Sequence, residues 1–394
     1  MARHPAIVIG CGGLGSAALY RLAARLGPGV LGLEQHALGH ELGASQDRSR
    51  ILRRVQHHRA DALLVNPAYD AWREVEQLAG RQLVTITGGL IIEDAAHRAK
   101  AGIGTRTMSG YAPLLAEFGV EHEFLDAAQL AERWPQFRLD GDEQGLYQRD
   151  TAVVDAAAAV AAHQELARAA GAEILEHTPV RAVRPSPGGV EVHTDDAVLL
   201  TDRLVIAAGA WTAELLEGWG PPMPLTVTQE QVTYYRPHDP APFAPDRFGV
   251  FMWHGEHNFY GFPLHAGGMT KLGEHMGGPV TTARTRGTDP DPVRQQRYRE
   301  FLDHRLPGFA ADEISTRTCL YTLPPDEHFV LGAVPDDPRV VVAVGAGHAF
   351  KFSALIGTIL TELACEGRSR HPIDAFALDR PALTDPAFAR AVAT

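Results

Sequence analysis

Six residues near the start of the chain, Gly10-Cys11-Gly12-Gly13-Leu14-Gly15, have the types and spacing to receive a dinucleotide. Gly10 permits a tight turn, Gly12 lets backbone N–H groups approach a pyrophosphate, and Gly15 lets a helix pack closely on the preceding strand. The helix N-terminus that follows favours negative charge through its dipole and free N–H groups. About 20 residues beyond the glycines, Val30-Leu31-Gly32-Leu33 runs into Glu34-Gln35, where a carboxylate can accept hydrogen bonds from a ribose hydroxyl. The other reactive residue types are less organised. There are nineteen histidines, but His57-His58 and His36/His40 lie near no Cys or carboxylate pattern that completes a metal site, and HExxH is absent. They read as solvated loop histidines, and no metal is expected. Cys11, Cys319 and Cys365 are too few and too dispersed for a disulfide framework.

The elements that must hold the glycine turn are a strand over Ala6–Ile9 and a helix over Ser16–Leu26, then a second strand before Glu34. Apolar spacing at Tyr69, Trp72 and Val75 predicts a helix over Asn66–Leu78, and Leu83–Ile92 reads as strand. A helix from Asp155 to Ala170 closes at Gly171. Short strands follow at 173–176, 180–183, 189–192 and 197–200, ending in the apolar, parallel-type run Arg203–Trp211 with its small-residue turn at Ala208-Gly209. From about Leu225 the strands alternate, at 226–235, 250–253, 259–263 and 269–273, which predicts an antiparallel sheet. A helix over 292–306 precedes a return to strand, glycine turn and helix: Val340–Val344, Gly345–Lys351, then Phe352–Cys365. The tail from Arg370 reads as loop.

At 394 residues, 45% hydrophobic and 21% charged, the chain can fill two domains of roughly 150 residues each. A net charge of −12 disfavours a nucleic-acid-binding surface. No apolar run reaches the roughly 18 residues of a membrane span, and Met1–Pro5 leaves no room for a signal peptide, so a cytoplasmic location is expected.

Six segments then acquire meaning together: Ser49–Arg53, Tyr260–Pro263, Lys271–His275, Thr318–Thr322, Asp326–Phe329 and Gly347–Phe352. In order and separation they resemble the flavin amine oxidases of the D-amino-acid-oxidase type, and within these the monomeric sarcosine oxidase and N-methyltryptophan oxidase group, over essentially the whole chain. The resemblance implies an FAD-binding α/β Rossmann-like domain of glutathione-reductase type with an inserted α+β antiparallel-sheet substrate domain. The first would comprise 1–85, 146–215 and 322–394, the second 86–145 and 216–321. It implies FAD bound by the opening turn, Glu34, Gln35, Ser49, Arg50, Val180, Ala208, Gly209, Trp211, Gly345, Gly347, His348, Phe350 and Lys351. Cys319 matches a position thioether-linked to the flavin, with Arg317 a candidate cation to lower its pKa. Arg53 and Lys351 match the pair that holds the substrate carboxylate, with Tyr321 a weaker substrate contact. Arg50 would lie against the flavin, Lys271 would activate oxygen, and Tyr260 and His275 would position the amine.

The implied reaction oxidises the C–N bond of an N-methyl or other secondary amino acid to an imine, which water hydrolyses, while O2 becomes H2O2. The implied partners are a small amino acid and O2, with no nucleic acid or membrane, and the implied state is a monomer. The sequence departs from the group at Gln46-Asp47-Arg48, which replaces His-Gly-Asp, and at Arg54–His58. These departures leave a bulkier N-alkyl amino acid, a cyclic imino acid or a glycated amino acid open as substrate; a same-fold dehydrogenase and a flavin protein without turnover stay open as separate readings.

Overall fold

The computed structural model describes residues 2–99, 107–265 and 267–388. A six-stranded sheet runs in the order Glu173–Leu175, Leu31–Leu33, Ile7–Ile9, Leu204–Ile206, Asp337–Val344, Val330–Val334. Its first five strands are parallel and the last antiparallel. The central strands are apolar on both faces because both are covered: helices pack on one side, and Val183, Val190 and Val192 of a smaller sheet, with Leu215 and Leu216, pack on the other. The helix Gly13–Leu26 lies against Ala156–Ala169 and Ser353–Glu366, and small residues on its buried face, Gly15, Ala17 and Ala18, allow that close approach.

A nine-stranded sheet forms the second layer system. Its order is Val280–Thr281, Thr226–Arg236, Met269–Glu274, Asn258–His265, Val250–His254, Gly89–Glu93, Gln144–Gln148, Glu123–Asp126, with Asp312–Leu323 also paired to Thr226–Arg236. All junctions are antiparallel except that of Val250–His254 with Gly89–Glu93. Phe248, Phe251, Phe301, Phe309 and Trp253 fill the space between this sheet and the helix Pro292–Arg305. That helix is also pinned by charge: Arg294 is buried between Glu230 and Glu274 at 2.9 and 3.2 Å, which fixes the end of the strand that carries Lys271. Among the described residues no helix is long and apolar enough to cross a membrane.

Several sequence expectations need correction. The helix expected from Asn66 begins at Arg59 and accommodates Pro67 internally, because its apolar face is buried along its whole length. Leu83–Ile92 is two strands in different sheets, separated where Gly88 turns the chain at φ +72. Of the strands expected over 173–211, only the first and last join the parallel sheet; Val180–Ser186, Gly189–Thr194 and Val198–Thr201 form a separate sheet with Arg3–His4. The tail is not loop throughout. It contains a turn at Asp374–Phe376 and a helix Pro381–Thr384, buries Phe376 and Leu383, and is tied back by Arg380 to Asp326.

Two imidazoles are buried uncharged. Burial pushes His163 down to about 3 and His265 to about 4, from an ordinary 6.5. Because the folded values lie below the unfolded one, both groups favour the folded state above pH 6.5, and that contribution is lost as pH falls towards 4 and 3. The thermal midpoint is expected to drop across this window, and to drop less steeply in His163→Leu; a variant with the wild-type slope would refute the assignment.

Candidate active site

The glycine turn sits where the first parallel strand meets its helix. Gly10 has φ +88, and a Cβ there would lie 2.6 Å from the Ala207 carbonyl oxygen. A Cβ at Gly15 would lie 1.8 Å from the Gly10 carbonyl oxygen, so only glycine lets this helix close on the strand. Glu34 is buried and accepts from the Cys11 N–H at 3.0 Å and the His36 N–H at 3.2 Å. Burial raises its pKa, but His40 and these two N–H groups outweigh it and hold the carboxyl below its ordinary range. A cavity of about 700 Å³ opens from this turn and reaches the nine-stranded sheet.

Every residue expected at the site lines that cavity except Gly15, whose role is in packing. The N-terminal wall includes the loop 43–49, which the Arg50 guanidinium ties together. Arg50 donates to the carbonyls of Ala44, Gln46 and Ser49 at 2.7–2.8 Å and to Asp47 Oδ2 at 3.0 Å, beneath the Phe350 ring. Arg50, expected to lie against a cofactor ring, thus has a structural duty that its sequence context did not announce.

Lys271 comes from the middle of its strand, flanked in register by Tyr234 and Phe262. It is almost wholly buried and its Nζ pairs with Asp47 Oδ2, with Ser49 O and Oγ at 3.3 and 3.2 Å. Asp47 also accepts from the Tyr234 hydroxyl. Burial raises the Asp47 pKa, yet Lys271 and Arg50 prevail and bring it down to about 2.

Arg53 leaves the strand Arg50–Leu52 and faces the same cavity, where its buried Nη1 has no hydrogen-bond partner among the described residues. Such an atom costs free energy unless something else accepts from it. Lys351 lies in the turn Ala349–Phe352 and donates to the His348 carbonyl at 2.9 Å. Tyr260 and Tyr321 share a hydrogen bond, and the His275 ring stands 5.9 Å from that of Tyr321.

Cys319 and Tyr321 alternate on one face of Asp312–Leu323, a twelve-residue strand that sequence reading did not assign. Burial pushes the Cys319 thiol up to about 11, while Arg50 pulls the other way. Arg317, expected to supply that cation, is instead paired with Glu41. The expectation that His57 is a solvated loop residue is also corrected: it packs against Tyr111 and lines the cavity. Met252, His254 and Asn258 line it too, and no local motif marked them. The chain at 277–291 closes over one side, with Arg286 donating to the Leu42 carbonyl at 2.6 Å and to Thr318 Oγ1 at 2.8 Å.

A family model described as FAD dependent oxidoreductase matches residues 6–363. A monomeric sarcosine oxidase of Streptomyces avermitilis is 33% identical over 381 residues, 95% of this chain and 96% of that protein. An N-methyl-L-tryptophan oxidase of Escherichia coli is 27% identical over 96% of this chain and 99% of its own length. The solved structure of NikD, an unusual amino acid oxidase essential for nikkomycin biosynthesis, superposes with a TM-score of 0.85 at 27% identity, over 96% of this chain and 98% of that one.

The chain belongs to the FAD-dependent oxidoreductase family and is a sarcosine oxidase-like member of its amino-acid oxidases. Its residues fit the cofactor: the glycine turn supplies room for phosphates at a helix N-terminus, Glu34 offers a ribose acceptor, and the cavity continues from there to Cys319. Gly10→Ala is expected to lower the flavin content of purified, folded protein by about tenfold or more, since it strains a φ that L-residues avoid. Full flavin occupancy in that variant would contradict the cradle.

Proposed function

We propose that the protein oxidises the C–N bond of an N-methyl or other secondary amino acid: R–NH–CH3 + O2 + H2O gives R–NH2 + HCHO + H2O2. The observation that carries this reading is the buried Nη1 of Arg53, without a hydrogen-bond partner among the described residues, in the same cavity as Lys271, Lys351 and Cys319. A guanidinium left in that state calls for an anion, and an amino-acid carboxylate held between Arg53 and Lys351 supplies one.

FAD, when bound, would supply the acceptor for the hydride equivalent leaving the carbon next to nitrogen. The opening turn, Glu34, Gln35, Ser49, Val180, Ala208, Gly209, Trp211, Gly345, Gly347, His348 and Phe350 would hold it, and Cys319 would tether it covalently. Tyr260, Tyr321 and His275 orient the amine, and the cationic wall favours its unprotonated form. Lys271, in the cavity wall, would supply the positive charge that favours reduction of oxygen. In the same reading the segments 1–85, 146–215 and 322–394 carry the cofactor and 86–145 with 216–321 the substrate, in a cytoplasmic monomer. His57, Met252, His254 and Asn258 add polar and apolar wall to the cavity.

An anaerobic flavin-bleaching screen over N-alkyl, cyclic and glycated amino acids tests the substrate class, and a protein that no amine bleaches would refute the enzyme reading. Peroxide formed under air separates an oxidase from a dehydrogenase. Lys271→Met is expected to slow reoxidation by about 100-fold while changing flavin reduction far less; equal slowing of both steps would remove its assigned role. Acid-precipitated wild type should stay yellow and Cys319→Ala should release all its flavin, whereas flavin freely released from the wild type would exclude the thioether.

A further inference from the structure

The chain contains three lysines against thirty-three arginines. Lys100 lies outside the described residues; the other two, Lys271 and Lys351, are both buried in the wall of the same cavity. An ammonium is a compact charge that burial can deprotonate, whereas a guanidinium stays charged, so at these two positions of the wall the surroundings can set the charge.

For Lys271 those surroundings are explicit. Strand Met269–Glu274 places it between Tyr234 and Phe262, with Nζ 4.6 Å from the centre of the Phe262 ring. The titratable and charged groups around it are Asp47 from the loop, Arg50 from the next strand, Tyr234 from Thr226–Arg236, His265 from Asn258–His265 and Cys319 from Asp312–Leu323. Burial and Arg50 both disfavour a charged lysine, and Asp47 is the carboxylate that opposes them.

Asp47 is built for this contact. Its backbone sits at φ +107, a conformation that L-residues rarely adopt. Its carboxylate receives the Arg48 N–H at 2.8 Å, Arg50 Nη1 at 3.0 Å, the Tyr234 hydroxyl and Lys271 Nζ, so both oxygens are committed. This strained backbone carries a side chain that ties one loop to two sheet strands and, on the cavity side, fixes the charges of Lys271 and Arg50.

We propose that Asp47 is a positioning residue for the oxygen step: its carboxylate keeps the Lys271 ammonium charged and fixed at the cavity wall, and so sets the pH range over which the reduced cofactor passes electrons to O2. The inference rests on the oxidase reading above. In that step O2 takes two electrons from the reduced flavin and two protons to become H2O2, and the first electron places a full negative charge on oxygen. A protonated Lys271 stabilises that charge and a neutral one does not. Asp47 therefore extends the active range to higher pH while cancelling part of the field within it.

The test uses flavin-loaded protein labelled with 13C at lysine Cε, in which three lysines give three signals and Lys271→Met identifies one of them. In Asp47→Asn the Lys271 signal is expected to titrate at least about one pH unit lower than in wild type. The alkaline limb of the stopped-flow reoxidation rate should move down with it, while flavin reduction by substrate keeps its pH profile. Asp47→Glu should restore the limb. Asp47→Ser, which removes the carboxylate with a smaller side chain, should shift it the same way as Asp47→Asn, and serves if Asp47→Asn does not fold. An unmoved Lys271 titration in these variants would overturn the proposal, as would a titration that moves while the reoxidation limb stays. Reduced flavin that ignores O2 in wild type would instead sink the oxidase reading, and would be recognised by a Lys271 titration that still responds to Asp47→Asn.

Discussion

Positive charge is costly to bury, and this protein gathers Arg50, Arg53, Lys271 and Lys351 around one cavity. Each is handled differently. Arg50 is consumed by loop carbonyls and Lys351 by its own turn, while Lys271 is matched by Asp47 and Arg53 keeps a donor in reserve. A buried ion pair is a poor source of stability in general, because desolvation offsets much of the attraction. Its value here is geometric: Asp47 belongs to the loop that follows the nucleotide-binding strands, Lys271 and Tyr234 to the nine-stranded sheet. The contact makes the loop 43–49 and the nine-stranded sheet agree on one arrangement.

The sheets supply the rigidity that such an agreement needs. Thr226–Arg236 pairs along its length with Asp312–Leu323 and, over its second half, with Met269–Glu274, so Cys319, Tyr321 and Lys271 are all held by strands around one long central element. Side chains carried mid-strand are placed more accurately than side chains on loops. The loop 43–49 has no such frame and is ordered instead by the Arg50 guanidinium.

What the sequence made legible follows from range. The glycine turn and Glu34 are separated by few residues and obey a local geometric rule, so their arrangement could be read directly. The partners of Lys271 could not: Asp47 lies 224 residues away, and its identity as a departure from the resembled group, which has glycine there, gave no hint of its partner. A side chain at φ +107 shows why glycine suits that position and what an aspartate gains from it. Arg317 was expected beside Cys319 on sequence proximity, but two residues along a strand share a face without sharing a partner, and Glu41 claims the guanidinium. The half-buried setting of His57 is not legible locally, because Tyr111, which packs on it, belongs to a helix that nothing in the local sequence connects to it.

The order of strands in the parallel sheet also governs when the site can exist. Ile7–Ile9 and Leu204–Ile206 are neighbours, and Asp337–Val344 completes the layer beside them. The ribosome thus releases the glycine turn first and the strand that finishes its sheet some three hundred residues later. Long-range pairing of this kind is slow and leaves strand edges open in the interval. A newly made chain can engage its cofactor only once nearly all of it has emerged, so flavin capture reports on completed synthesis as well as on a formed pocket.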